Sequence, residues 1–148
     1  MQLSDRIDVV VAGSLGGFEM RQLKFRQPLL NRDGSFNKFH YWGIFPDSFV
    51  GREMSGCEKG DDQQFTGLLD KNSVEIYEGD ILLGRYIHAN MVVYYDSGQC
   101  GYELGCDWDA EEESYGATEH LLDDRNWEQE ETEWEVIGNI CENEELLK

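Results

Sequence analysis

The sequence predicts a mainly β fold with minor helix, and three observations carry that expectation. Glycine is plentiful at 16 and proline scarce at 2, aromatic residues make up 12% of the chain, and short apolar runs are separated by turn-forming clusters. With 148 residues, 40% of them apolar, the chain has the length of one domain and the side chains to build a core.

The elements follow in order. Residues 8–12 can form one short strand, which the following glycines end. Gly16-Gly17 can be encoded by GGAGGN, a ribosome-binding sequence just upstream of the Met20 codon. Residues 1–19 are therefore expected to be a translated leader or an extension outside the core, with a single domain at 20–148 and an acidic insertion at about 106–130. Residues 22–25 alternate as a strand. "NRDGSF" (31–36) is a turn, in which Asp-Gly supplies the positive φ of a tight hairpin. "KFHYWGIF" (38–45) is an aromatic strand, broken by Pro46-Asp47 and Gly51, and residues 52–62 read as a surface loop.

The stretch "QFTGLLDKNSVEIYEGDILL" (64–83) is the most rigidly composed. A strand at 64–68 leads to a turn at 70–72, where Asp and Asn can bond their own backbone. Val74, Ile76 and Tyr77 are expected to pack inward. Gly79-Asp80 then marks a corner into the apolar run 81–83: glycine tolerates the bend and aspartate accepts backbone N–H groups there. Residues 91–95, the turn 96–98 and the return 99–104 form the clearest hairpin. Residues 106–127 are acidic and weakly periodic, with a short helix expected around 120–122. Further on, Glu131, Glu133 and Glu135 share one face of a strand and Thr132, Trp134 and Val136 the other. Residues 141–147 read as a terminal helical turn anchored by Leu146 and Leu147.

Three blocks, "MRQLKFR" (20–26), "QFTGLLDKNSVEIYEGDIL" (64–82) and "EVIGNICENEELL" (135–147), resemble the YopX-like family of phage and prophage proteins. The resemblance spans residues 20–147 in family order. It implies a mainly β domain that includes a small SH3-like barrel, and it supports Met20 as a start. Within the blocks it marks Phe65, Thr66, Gly67, Asp70, Ile76, Tyr77, Gly79, Asp80, Gly138 and Asn139 as structural positions. No catalytic residue carries over, because the family's molecular role is unassigned. Residues 26–62 and the acidic stretch after Cys106 follow the family pattern poorly.

Charge supplies the functional reading. The net charge is −19, and the field it creates repels nucleic acid and attracts basic surfaces. From Glu103 to Glu135 there are 14 acidic residues and one base, Arg125, whereas Arg21 to Lys38 holds five bases and one acid, Asp33. Halophilic adaptation spreads acids more evenly than this. The four cysteines have no C-x-x-C spacing and the three histidines are scattered, so no zinc site is expected and the cysteines read as reduced, in a cytoplasmic protein. No apolar run reaches the roughly 18–20 residues that span a membrane. The stretch "DWDAEEESYGATE" opens like a calcium loop, but its sixth and twelfth positions are Glu112 and Thr118 instead of Gly and Glu, which favours a solvated acidic loop. Phosphate-loop and dinucleotide fingerprints are missing, and Cys57 and Cys100 have no local motif for nucleophilic catalysis. The aromatics suit a core better than a base-stacking platform, which needs a positive groove.

The expectation is thus a non-enzymatic accessory protein, without cofactor or metal, that works in the host cell cytoplasm. Alternate residues on a strand stand roughly 6.6 Å apart, so Glu131, Glu133 and Glu135 would form a regular negative row. Asp107, Asp109, Glu111, Glu112, Glu113, Glu128 and Glu130 complete the expected acidic face. Such a surface imitates duplex DNA, a dense negative rod, and would engage the basic groove of a host nucleic-acid-handling or defence protein. The alternative is a nucleic-acid-binding or self-assembling barrel, with Arg21, Lys24 and Arg26 as contacts.

Overall fold

The structure is a computed structural model that describes residues 22–45, 47–83, 89–109, 114–120 and 134–148. The strands are β1 (Lys24–Leu30), β2 (Phe36–Phe45), β3 (Ser48–Val50), β4 (Glu58–Lys59), β5 (Gln63–Leu69), β6 (Glu75–Tyr77), β7 (Asp80–Leu83), β8 (Asn90–Asp96), β9 (Gly101–Asp109), β10 (Ser114–His120) and β11 (Glu135–Asn139), followed by a 3-10 turn, Glu144–Leu147. They form two antiparallel sheets. The first has the order β3-β2-β1-β5-β6, with β4 also paired to β1; the second has the order β10-β9-β8-β7-β11. The fold is mainly β, as expected, but the described strands make two open sheets instead of a closed barrel.

Local chemistry explains the turns. Between β1 and β2, Asn31 N–H donates to the Ser35 carbonyl at 2.8 Å and Gly34 adopts φ +82°, which glycine tolerates without steric penalty. Asp33 accepts from both the Ser35 hydroxyl and its N–H, and these bonds hold its carboxyl below the ordinary carboxylate range. The reversal from β5 to β6 is held by Asp70, whose N–H donates to the Val74 carbonyl at 2.8 Å.

The core is built mainly on the second sheet, with Ile76 of β6 and Leu68 of β5 joining it from the first. Ile76, Leu82, Met91, Val93, Tyr102 and Leu104 form one cluster, against which Leu68, Cys106, Trp134 and Val136 pack. Trp134 and Val136, expected on one face, both pack against this cluster. The C-terminal turn is tied to β8 through Asn90 Nδ2, which donates to the Leu146 carbonyl at 2.7 Å; Leu146 and Leu147 are half-buried.

Three expectations need correction. Val74 is 47% exposed, because its N–H and carbonyl both bond Asp70 and keep it in the turn, out of the pleat that buries Ile76 and Tyr77. The stretch after Cys106 is not an irregular loop from its start: β9 continues to Asp109 and β10 pairs back on it, from Ser114↔Asp109 to His120↔Glu103. That pairing extends the strand whose inward residues are Tyr102 and Leu104. His120 accordingly closes β10 and does not enter a helix, while residues 121–122 lie outside the described residues.

Candidate functional site

The corner between the two sheets gathers most of the residues that the family resemblance singled out. Strand alternation sends Lys24 and Arg26 to one side of β1. Arg26 is 5% exposed. Its Nη2 lies 2.7 Å from Asp80 Oδ1 and donates to the Glu78 carbonyl at 3.0 Å, and its Nε donates to Gln63 Oε1 at 2.6 Å. The guanidinium sits over the Phe39 ring at 4.3 Å and the Tyr77 ring at 5.0 Å. Asp80 is 1% exposed; its Oδ2 accepts the Tyr77 N–H at 2.7 Å, while its Oδ1 lies against the Arg26 guanidinium. Burial pushes the Asp80 carboxyl up, and Arg26 and the Tyr77 N–H oppose this without overcoming it.

Neighbouring groups are equally engaged. Lys24 pairs with Glu75, which also accepts the Tyr77 hydroxyl at 2.8 Å; burial and then Glu75 raise the Tyr77 phenol. Asp70 Oδ1 accepts from Asn72 and Val74 N–H at 2.7 and 2.9 Å, and its Oδ2 from Val136 N–H at 3.0 Å, so one carboxylate ties the turn to β11. Burial raises its pKa, but the N–H groups of Val136, Val74 and Asn72, with Lys71, outweigh that and leave it lowered. Thr66 Oγ1 donates to the Ile76 carbonyl at 2.8 Å, Phe65 lies against Tyr77 with ring centroids 5.4 Å apart, and Gly67 sits where the β5–β6 register shifts. Asn139 Oδ1 accepts from Cys141 and Glu142 N–H, closing the turn after β11, and Gly138 backs onto Asn143 so closely that a Cβ would stand 2.6 Å from its Oδ1. Gly79 has φ +77°, and a Cβ there would meet Gln63 Nε2 at 2.6 Å. These groups satisfy one another. They staple two sheets together.

The expected contact residues are placed as follows. Glu135 pairs with Lys71 on the face of β11 opposite Trp134 and Val136. Asp107 and Asp109 lie on the backbone of β9. Glu111, Glu112, Glu113, Glu128, Glu130, Glu131, Glu133 and Arg21 lie outside the described residues. Lys24 and Arg26 have side chains only 11% and 6% exposed and are committed to Glu75 and Asp80, which removes them from the alternative set of nucleic-acid contacts. Among the described residues, no three metal-ligating side chains come together.

Sequence reasoning missed a mainly apolar cleft of about 510 Å³. The β1–β2 turn, residues 60–63, the 78–79 corner, β8 and residues 140–141 line it, with Phe36, Tyr94 and Tyr95 as its aromatic residues and Asp61, Asp62 and Glu78 as its charges. No periodic or spacing signal announces it, because its walls come from five separate segments.

A two-sheet β chain with a charged inter-sheet corner is the class these features define. The chain belongs to the YopX family: the family described as YopX protein matches residues 51–148, which takes in the second and third blocks. Among solved structures, it is similar to the crystal structure of protein EF1440 from Enterococcus faecalis, at 24% identity over 85% of this chain and 98% of that one, with a TM-score of 0.44. No curated protein matches it.

Proposed function

We propose that this chain is a non-enzymatic accessory protein of phage or prophage type. On this reading its acidic surface binds a basic, nucleic-acid-handling protein of the host and blocks it by occupying the groove meant for nucleic acid, in the host cytoplasm. One observation carries the reading. The chain has 31 acidic residues and 12 cations, so 31 − 12 = 19 carboxylates have no lysine or arginine to neutralise them however the cations pair. Lys24 and Arg26, the cations best placed to offer nucleic acid a foothold, are spent on Glu75 and Asp80 inside the fold. Family membership supports the phage or prophage type. Among the described residues, no helix is long and apolar enough to cross a membrane.

The test is retention of host proteins. Host proteins that adhere to heparin are passed at low salt over immobilised protein, either wild type or the Glu131→Gln, Glu133→Gln, Glu135→Gln variant. The wild type is expected to retain a defined basic protein, to release it as salt rises, and to lose most of it in the variant, since screening and neutralisation remove the same attraction. Equal retention by both proteins contradicts the proposal. A low-salt gel shift of duplex DNA by the chain itself would support the nucleic-acid-binding alternative in its place.

A further inference from the structure

The 510 Å³ cleft between the sheets has an occupant that its chemistry specifies. Its size falls in the range of small-ligand clefts, roughly 300–1,000 Å³, and its apolar walls with a few converging polar groups have the usual make-up of such sites. Three carboxylates, Asp61, Asp62 and Glu78, line it, and among the described residues no lysine or arginine does. Asp62 is paired with Arg52 at 2.9 Å and accepts the Trp42 indole N–H at 3.2 Å; Glu78 accepts the Gln64 N–H at 2.6 Å. Asp61 is exposed and makes no ion pair among the described residues. Tyr95 is 48% exposed, and its ring is braced edge-on by Tyr102 at 5.5 Å.

We propose that this cleft receives an arginine side chain from the basic partner. An aliphatic stem suits the apolar walls, and a cation suits Asp61, the lining carboxylate that makes no ion pair among the described residues. Guanidinium suits the site better than ammonium: it is planar and weakly hydrated, it stacks on aromatic rings such as Tyr95, and it reaches a carboxylate such as Asp61 with two N–H groups at once. The inference rests on the reading of a basic partner and adds to it the side chain that is anchored.

Glycine amides at 34, 60 and 79 line the cleft and give isolated reporters. Titrating the full-length ¹⁵N-labelled protein with N-acetyl-arginine amide is expected to shift these three signals saturably. Asp61→Asn and Tyr95→Ala, both at exposed positions, should each weaken the fit by about fivefold, the worth of one surface ion pair or one cation–π contact. N-acetyl-lysine amide should bind severalfold more weakly. Shifts that never saturate, shifts only elsewhere, or an affinity unchanged in either variant would overturn the site; equal affinity for the lysine compound would overturn the assignment to guanidinium. Saturable arginine binding without retention of a host protein would refute the proposed function and leave the cleft standing. Retention without arginine binding would do the reverse.

Discussion

Arg26 and Asp80 are 54 residues apart in sequence and 2.7 Å apart in space, both almost fully buried. Removing one partner of such a pair leaves an uncompensated charge in a low-dielectric site, at a cost of about 3–5 kcal/mol. Arg26→Met should therefore lower the urea midpoint sharply. Adding Asp80→Asn should restore much of the loss, because the amide oxygen still accepts the Tyr77 N–H and no buried charge remains. If the double variant is as unstable as the single one, the pair is not the source of the loss. Asp70 makes a second test. Its Oδ1 and Oδ2 accept three backbone N–H groups, and in Asp70→Asn an amide NH₂ would face a donor, which costs about 1–3 kcal/mol. Its folded pKa is lowered, so its contribution is present above the ordinary aspartate value of about 3.9 and is lost as pH falls through the lowered value. The stability gap between wild type and variant, measured by urea titration, should thus be widest near neutral pH and close in acid.

At the scale of elements, the 78–80 corner depends on backbone shape as much as on charge. Gly79→Ala combines φ +77° with a Cβ 2.6 Å from Gln63 Nε2, and Gln63 cannot yield without releasing Arg26 Nε. A loss above about 1 kcal/mol is expected in the urea midpoint. Hydrogen exchange should divide the second sheet: Val92, Val93 and Leu104 amides, flanked by strands on both sides or in the core, should exchange far more slowly than those of β10, which pairs only with β9 among the described residues. Local signals were legible in the sequence. The Asp-Gly turn, the Asp70 turn and the Gly-Asp corner are each specified by residues within a few positions of one another. The β9–β10 hairpin was not, because acidic composition hides the alternation that continues from Tyr102 and Leu104 into the strand. Val74 was misjudged for a related reason: its apolar side chain suggests burial, but two bonds to Asp70 hold its backbone in the turn.

On the scale of the whole molecule, what no local pattern announced is what the topology brings together. The cation of β1 meets its aspartate at the start of β7, and five segments line the cleft. The family resemblance singled out most of the residues that meet at the corner, and of the cleft's lining it named Gly79 alone. Excess charge was legible from composition alone, and it is the long-range property on which the proposed function depends. The most direct measurement is competition. A labelled DNA duplex is bound to the purified host protein retained by this chain, and fluorescence anisotropy is followed as the chain is added. Release of the duplex is expected, in a one-site titration that weakens steeply with salt. A duplex that stays bound while the chain also binds would contradict the proposed function.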